Sequence, residues 1–334
     1  MAEISLRTYI EEIDTLIERK MVDEAVAHCR HILAFFPKHL DTYRMLGKAL
    51  LEANRHGDAA DIFQRVLSVV PDDFISHVGM SIVREDEANL DSALWHMERA
   101  FEANPANGAI QEELRRLYGR RDGVVPPKAR LTRGALARMY TLGELYPQAE
   151  AELKTALNED GERVDLETIL ARVYWEMEQP AAAAQACSTI LQKIPYSRDA
   201  NRILTKILNA QGRTNEATPY QKRLEAVDPY EAYANGHRVE EVESEAVRLP
   251  RLDYTPGMEG SGAPDWVASI GMKFDEPAAP AATDQTPDWL RTEPVTPVEM
   301  PASGEAPSPA ELPDWLRELQ PSEAGAISAP LAGL

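Results

Sequence analysis

The sequence lacks the signatures of an enzyme. It contains no P-loop, no G-x-G-x-x-G motif after a strand, and no G-x-S-x-G, H-E-x-x-H or C-x-x-C motif. His28 and His31 are spaced like metal ligands on one helix, but no second ligand cluster accompanies them. We therefore predict a non-catalytic protein with no metal and no cofactor.

Long apolar runs and cysteines are equally scarce. No run of 18 apolar residues occurs, which predicts no membrane span, and the N-terminus lacks the basic and apolar regions of a signal peptide. Cys29 and Cys187 lie at apolar positions of distant helical patterns, so we predict two buried thiols and no disulfide. The expected location is the cytoplasm.

Positive charge is in short supply. The chain has 35 Lys and Arg against 55 Asp and Glu, a formal net charge of −20. Binding to nucleic acid requires a basic footprint. The composition therefore predicts no nucleic-acid partner.

What the sequence does have is a 34-residue period. Within 41–71, apolar and small residues follow helical spacing in two runs, and Pro71 ends the second run because proline lacks the N–H that a helix needs. The small residue of the second run recurs every 34 residues in two series, Ala25, Ala59, Ala93 and Ala149, Ala183, Ala217. Prolines close five of these units: Pro37, Pro71, Pro105, Pro195 and Pro229. The spacing predicts helical hairpins at about 6–39, 40–73, 74–107, 130–163, 164–197 and 198–231.

The second unit shows a known signature. Its key positions are Tyr43, Leu46, Gly47, Leu50, Ala59, Phe63 and Pro71. This pattern resembles the tetratricopeptide repeat (TPR). The resemblance implies an all-α fold, a right-handed superhelix of about six helical hairpins plus one extra helix, and a scaffold that binds other proteins or peptides in its concave groove.

The predicted domain organisation follows the repeats. A first block of three repeats covers 1–107, and a lone helix and linker follow at 108–129, where the period breaks by 22 residues. A second block of three repeats covers 130–231, and apolar positions at 232–248 suggest a closing helix. From 249 to 334 the chain becomes acidic and proline-rich, which predicts disorder.

The first helix of each unit lines the groove in TPR proteins, so the resemblance and the helix phase together select candidate peptide-binding residues. These are Arg44, Lys48, Ile75, Val78, Ile82, Arg138, Arg172, Trp175, Arg202 and Lys206. Arginine pairs with carboxylates through two hydrogen bonds and stacks on indole rings. One hypothesis is a groove for an acidic, Trp-bearing peptide. The alternative is that these cations only neutralise neighbouring acidic side chains.

The tail repeats one short motif three times. Each copy reads Pro-Asp-Trp-aliphatic, with Asp265 and Trp266, Asp288 and Trp289, and Asp314, Trp315 and Leu316. Asp is able to cap a nascent helix, and the apolar edge that follows suits a groove. Two hypotheses remain open: the motifs act as tethered linear ligands for a partner, or the tail occupies its own groove and the protein is an autoinhibited regulatory subunit.

Overall fold

The computed structural model describes residues 3–234 and 237–255. The three Pro-Asp-Trp motifs lie outside these residues. The described part contains thirteen α-helices and one pair of three-residue strands, which confirms the predicted all-α class. The elements are β1 Glu3–Ser5, α1 Leu6–Glu18, α2 Val22–Phe35, α3 Leu40–Glu52, α4 His56–Leu67, α5 Phe74–Asp86, α6 Leu90–Ala103, α7 Gly108–Asp122, α8 Arg133–Leu142, α9 Tyr146–Glu159, α10 Val164–Glu176, α11 Pro180–Lys193, α12 Arg198–Ala210, α13 Thr214–Val227 and β2 Arg248–Pro250.

Twelve of these helices form six hairpins, α1–α2, α3–α4, α5–α6, α8–α9, α10–α11 and α12–α13. The predicted alanine series lies at the contact between the helices, where all six side chains are at most 2% exposed. Each of the five prolines follows the end of a second helix. The six hairpins lie within a few residues of the ranges that the 34-residue period predicts.

The turn inside every hairpin repeats one backbone conformation. Lys20, Asn54, Ala88, Glu144 and Glu178 have φ between 55° and 59°, and Gly212 has φ 72°. These residues are 34 apart within each block. Glycine and asparagine tolerate this left-handed conformation, whereas the other side chains adopt it at a cost. The turn geometry is therefore imposed by helix packing in four of the six hairpins.

Two glycines explain the close approach of three helices in the first block. The ring of Phe63, on α4, is fully buried between Gly47 of α3 and Gly79 of α5. A Cβ atom on Gly47 would lie 2.5 Å from Cε1 of this ring, and one on Gly79 would lie 2.5 Å from Cζ. The approach predicted for Gly47 is confirmed, and the ring uses a second glycine one repeat later.

The predicted lone helix is α7. Asn107 caps its start by accepting a hydrogen bond from the N–H of Ile110, and Gly123 ends it in the left-handed conformation with φ 76°. Ile110, Leu114 and Leu117 are fully buried in a cluster with Leu94 and Met97 of α6. The helix therefore packs on the first block although no second helix follows it.

A buried ionic network joins the two blocks. The carboxylate of Glu102, on α6, accepts hydrogen bonds from Arg99 Nε at 3.2 Å and from Thr132 Oγ1 at 2.7 Å, and it pairs with Arg163 at the start of α10. Gly134 provides the space for it, because a Cβ atom there would lie 2.5 Å from Glu102 Cδ. A single carboxylate thus fixes the fourth and fifth hairpins to the third.

The predicted closing helix at 232–248 is wrong. The described residues of that range form 3-10 turns at Pro229–Ala232, Val239–Glu241 and Ser244–Ala246, and the start of β2. β2 pairs antiparallel with β1, with Ile4 opposite Leu249. We call residues 237–255 the closing segment. The conformation of this segment is set by contacts with distant residues of the chain. The apolar spacing within the segment therefore does not determine its secondary structure.

The closing segment ties the end of the array to its start. Arg7 donates hydrogen bonds from Nη1 to the Val242 carbonyl at 2.5 Å and from Nη2 to the Val239 carbonyl at 2.6 Å. Its guanidinium also lies 4.0 Å from the ring centroid of Tyr230. Further along, the N–H of Leu252 donates to Tyr9 Oη at 3.0 Å. The first helix is therefore covered by the last described residues.

Candidate peptide-binding cleft

A cleft in the second block contains four of the predicted groove residues. The cleft has a volume of about 1020 Å³ and is bounded by α10, α12, α13 and the closing segment. Four predicted residues line it: Arg172 and Trp175 from α10, and Arg202 and Lys206 from α12. The spacing of four residues along α12 places its two cations on one face of the helix.

Two of these cations are neutralised by neighbouring acids. Arg172 pairs with Asp199, and Arg202 Nη2 donates to Glu231 Oε1 at 2.5 Å. Burial alone would raise the pKa of Asp199, but the positive charges of Arg172 and Arg198 lower it overall. Both arginines therefore serve the packing of the array, and only part of each side chain is exposed, 32%.

Three other cations in the cleft form no ion pair within residues 3–234 and 237–255. They are Lys206, Lys222 and Arg238. Lys206 occupies the repeat position of Lys48, Arg138 and Arg172, each of which pairs with an acid. For Arg172, the acidic partner is Asp199, which lies on α12 in the next hairpin. No hairpin follows α13 in the described chain, so Lys206 has no such partner there.

Apolar surface accompanies these charges. Trp175 is half-buried, and Ile203 and Leu224 contribute the floor of the cleft. Charged side chains on the walls include five cations and six carboxylates, and Glu176, Glu225 and Glu240 form no ion pair with any described residue. An amphipathic peptide with one aromatic or aliphatic side chain and flanking charges fits this chemistry.

The remaining predicted cations are occupied by ion pairs. Arg44 pairs with Asp41 at 2.5 Å and donates from Nε to Asp73 Oδ1 at 2.8 Å. Lys48 pairs with Asp14 at 2.5 Å, and Arg138 pairs with Asp72 at 2.6 Å. At these three positions the geometry matches the alternative interpretation, in which the cations neutralise neighbouring acids.

The predicted apolar patch of the third unit is corrected in part. Val78 is 1% exposed and packs with Leu94 and Met97, so its side chain lines no groove. Ile82 packs at the edge of the same cluster, and Ile75 is half-buried. Val78 occupies the repeat position of Arg44, where it is recruited to the core by the extra helix α7.

Contacts between the blocks also reduce the open surface. The N–H of Arg198, at the start of α12, donates to the carbonyl of Val69 at 3.1 Å. Lys38 Nζ lies 3.9 Å from the ring centroid of Tyr196. Sequence reasoning missed these contacts, and it missed Lys222 and Arg238 as cleft residues, because Lys222 lies on a second helix and Arg238 follows an irregular segment.

Metal ligands and reactive thiols are not assembled here. Within the described residues no group of three His, Cys, Asp or Glu side chains could hold a metal ion. His31 Nε2 lies 2.8 Å from the Pro250 carbonyl, and His28 Nδ1 lies 2.7 Å from Tyr9 Oη. Both cysteines are fully buried, as predicted, and burial raises the pKa of Cys187 to about 12.

None of the described helices has the length and apolar character to cross a bilayer.

Comparison with protein families finds one match, in the first block. The family model described as "Tetratricopeptide repeat" matches residues 16–77, from the end of α1 to the start of α5. Residues 16–77 are therefore similar to tetratricopeptide repeats. The matched residues include the whole α3–α4 hairpin, and the same hairpin recurs at 34-residue spacing beyond them. No curated protein matches the chain.

Solved structures similar to this chain share little sequence identity with it. One is a tetratricopeptide repeat protein from Parabacteroides merdae, with 14% identity, 66% of this chain and 77% of that chain covered, and a TM-score of 0.30. Another is the TPR2AB domain of yeast Sti1 in its pHSP90 complex, with 13% identity, 71% and 96% coverage, and a TM-score of 0.32. Naa15/Naa10 bound to HypK-THB has 18% identity, 69% and 42% coverage, and a TM-score of 0.31.

Proposed function

We propose that this TPR protein is a non-catalytic interaction scaffold and that the cleft of the second block binds an acidic peptide segment of a partner protein. The observation that carries the proposal is that Trp175 lines the same cleft as Lys206, Lys222 and Arg238, three cations without ion pairs among the described residues. Carboxylates of a ligand would meet these cations, and an aromatic or aliphatic side chain would meet Trp175.

The Pro-Asp-Trp motifs have a separate role in the proposed function. Three copies on one chain act as tethered ligands for a partner, because linked copies raise the effective concentration without any new contact. The motif sequence matches the chemistry of the cleft, since Asp and Trp are adjacent in each copy. The competing function is autoinhibition, in which the chain's own motif occupies the cleft.

Binding of a labelled peptide to the full chain tests the cleft. The probe is a fluorescein-labelled peptide of Leu312 to Gln320, followed by fluorescence anisotropy. Because Arg172 and Arg202 already pair with acids, the informative change is Lys206→Glu with Lys222→Glu. Each exposed ion pair is worth up to about 1 kcal/mol, so we expect a loss of about tenfold in affinity. The matched control is Arg30→Glu, an exposed cation on α2 that lies outside both the cleft and residues 115–133.

Trp175→Ala is expected to lower the affinity for the same peptide, because the indole ring supplies the apolar contact. Equal affinity of the wild-type chain and the Lys206→Glu/Lys222→Glu variant would rule out the cleft. A triple change of Trp266, Trp289 and Trp315 to Ala separates the two functions. Autoinhibition predicts tighter binding of the added peptide in this variant, whereas tethered ligands that act on a partner predict unchanged binding.

A further inference from the structure

The helix α7 has an incomplete environment. In the six hairpins the first helix packs against a second helix that follows it, whereas α7 is followed by the irregular residues 123–132. Those residues fold back on α7. Arg115 Nε donates to the carbonyl of Pro126 at 2.8 Å, and the Val125 side chain lies 2.5 Å from where a Cβ of Gly119 would stand. The position of the missing helix is therefore taken by a loop.

This loop exposes large aliphatic side chains. Val124 is 74% exposed, Val125 55% and Leu131 52%. Aliphatic side chains side by side on a short, well-contacted loop are typical of an interaction surface.

The same region is basic in an acidic protein. Residues 115–133 contain seven Arg and Lys and a single acid, Asp122, whereas the whole chain has a net charge of −20. Four of the arginines pair with acids: Arg116, Arg120, Arg121 and Arg133. Arg115 bonds only to a carbonyl, and Lys128 and Arg130 have no ion pair within the described residues. We call residues 115–133 the junction surface.

We propose that the junction surface is the docking site of residues 311–323 of the same chain, which contain the third Pro-Asp-Trp motif. This segment has four acids and one base, a net charge of −3, with Leu312, Trp315, Leu316 and Leu319 as its apolar residues. Its charge and its aliphatic side chains complement those of the junction surface. The first two motifs have fewer acids and fewer leucines around them.

The length of the chain allows this contact. Between Thr255 and Glu311 lie 55 residues. A chain spans at most ~3.3–3.6 Å per residue, so this connection reaches up to roughly 190 Å. A folded unit of this size has a radius of gyration of only about 18 Å. The junction surface is preferred over the cleft because the cleft carries carboxylates with no ion pair among the described residues, whereas Asp122, the single acid within 115–133, is paired with Arg121. This proposal is independent of peptide binding in the cleft.

Hydrogen exchange of the full chain at low salt tests the docking. We expect the amides of residues 315–319 to exchange about tenfold more slowly than in an unstructured peptide. The change Lys128→Glu with Arg130→Glu should abolish this protection. Adding Glu311→Lys and Glu318→Lys to that variant should restore it, because the charges are exchanged across the contact. The control is Lys206→Glu with Lys222→Glu in the cleft, which should leave the protection unchanged.

Four results would overturn the proposal. The first is an absence of protection at 315–319 in the wild-type chain, and the second is a loss of protection in the cleft variant but not in the junction variant. The third is protection that falls on dilution, which would indicate a second copy of the chain as the source of the segment. The fourth is sedimentation of the protein with phosphatidylserine vesicles, lost in the junction variant, while residues 315–319 remain unprotected. Unchanged exchange in α5 and α10 verifies that every variant is folded.

Discussion

Replacing Gly79 by alanine tests the packing of three helices around one ring. Phe63 lies between Gly47 and Gly79, and a Cβ atom on Gly79 would stand 2.5 Å from Phe63 Cζ. Real side chains do not approach this closely, so either the ring or a helix has to move. Overpacking of a well-packed core costs typically about 1–3 kcal/mol. The ring is fully buried and contacts glycines on both sides, which leaves it little room.

The helix propensity of alanine acts in the opposite direction. Alanine is favoured over glycine in a helix by about 1 kcal/mol. Gly57 is the matched control, since it lies in α4 and a Cβ atom there would meet no atom within 4 Å. Both variants gain propensity, so the difference between them measures the steric cost. We expect Gly57→Ala to be more stable than Gly79→Ala by about 2 kcal/mol.

Urea unfolding at 25 °C, followed by circular dichroism at 222 nm, measures this difference in the full chain. Adding Phe63→Leu to Gly79→Ala should recover part of the loss, and the double-mutant cycle should give a favourable coupling of about 1 kcal/mol. A Gly79→Ala variant as stable as Gly57→Ala would refute the reasoning. So would a coupling energy of zero.

Four further changes give measurable outcomes. Glu102→Gln removes the charge shared by Arg99, Thr132 and Arg163, while Arg163 keeps Asp165 as a partner, so the free energy of unfolding in urea should fall by about 2 kcal/mol, and a loss below about 0.5 kcal/mol would contradict the network. Burial, followed by the neighbouring His77, lowers the pKa of His96 to about 3, below its unfolded value, so its stabilising contribution is complete above about pH 6.5 and is lost towards pH 3. His96→Gln should therefore flatten the dependence of stability on pH in that window by up to about 1.4 kcal/mol per pH unit, and an unchanged slope would contradict this. Ala88→Gly relieves a φ of 59° and should raise the urea midpoint by an amount equivalent to about 1 kcal/mol. Arg7→Ala removes two hydrogen bonds to the closing segment, so amides of residues 239–250 should exchange faster while those of α5 and α6 stay unchanged.

The regular part of the fold was predictable because its information is local. The alanine and proline series place each hairpin within a few residues, since small residues are needed where helices touch and proline ends a helix. The left-handed turn was not predictable at Lys20, Ala88, Glu144 and Glu178, whose side chains give no sign of it. There the helix contacts on both sides of the turn decide the backbone.

The closing segment shows the limit of local patterns. Val239, Val242 and Val247 suggested a helix, but the structure uses Arg7 and β1, more than 230 residues earlier in the chain, to hold this segment as turns and a strand. A strand pair of three residues leaves almost no period-two signal in the sequence. Such a contact depends on where the end of the array lies, which no single unit encodes.

The candidate cations show the same limit in their electrostatics. Helix phase identified Arg44 and Arg202 correctly as equivalent positions, and both pair with an acid 29 residues later. An arginine of one unit is thus neutralised by the next unit, which a single-unit analysis does not contain. The repeat pattern predicts which positions of a helix face the groove. Whether a cation at such a position is free to bind a ligand depends on the acidic side chains of neighbouring units.

Not every cation of the array has an acidic partner within residues 3–234 and 237–255. Two exceptions lie where the regular repeat stops. Lys206 lies on the last hairpin, and Lys128 and Arg130 lie where α7 has no second helix. Both exceptions fall at breaks in the repeat, and both are accompanied by apolar surface, Trp175 in one case and Val124 and Leu131 in the other. At both places the chain departs from the regular hairpin, so the two candidate binding surfaces coincide with the irregular parts of the array.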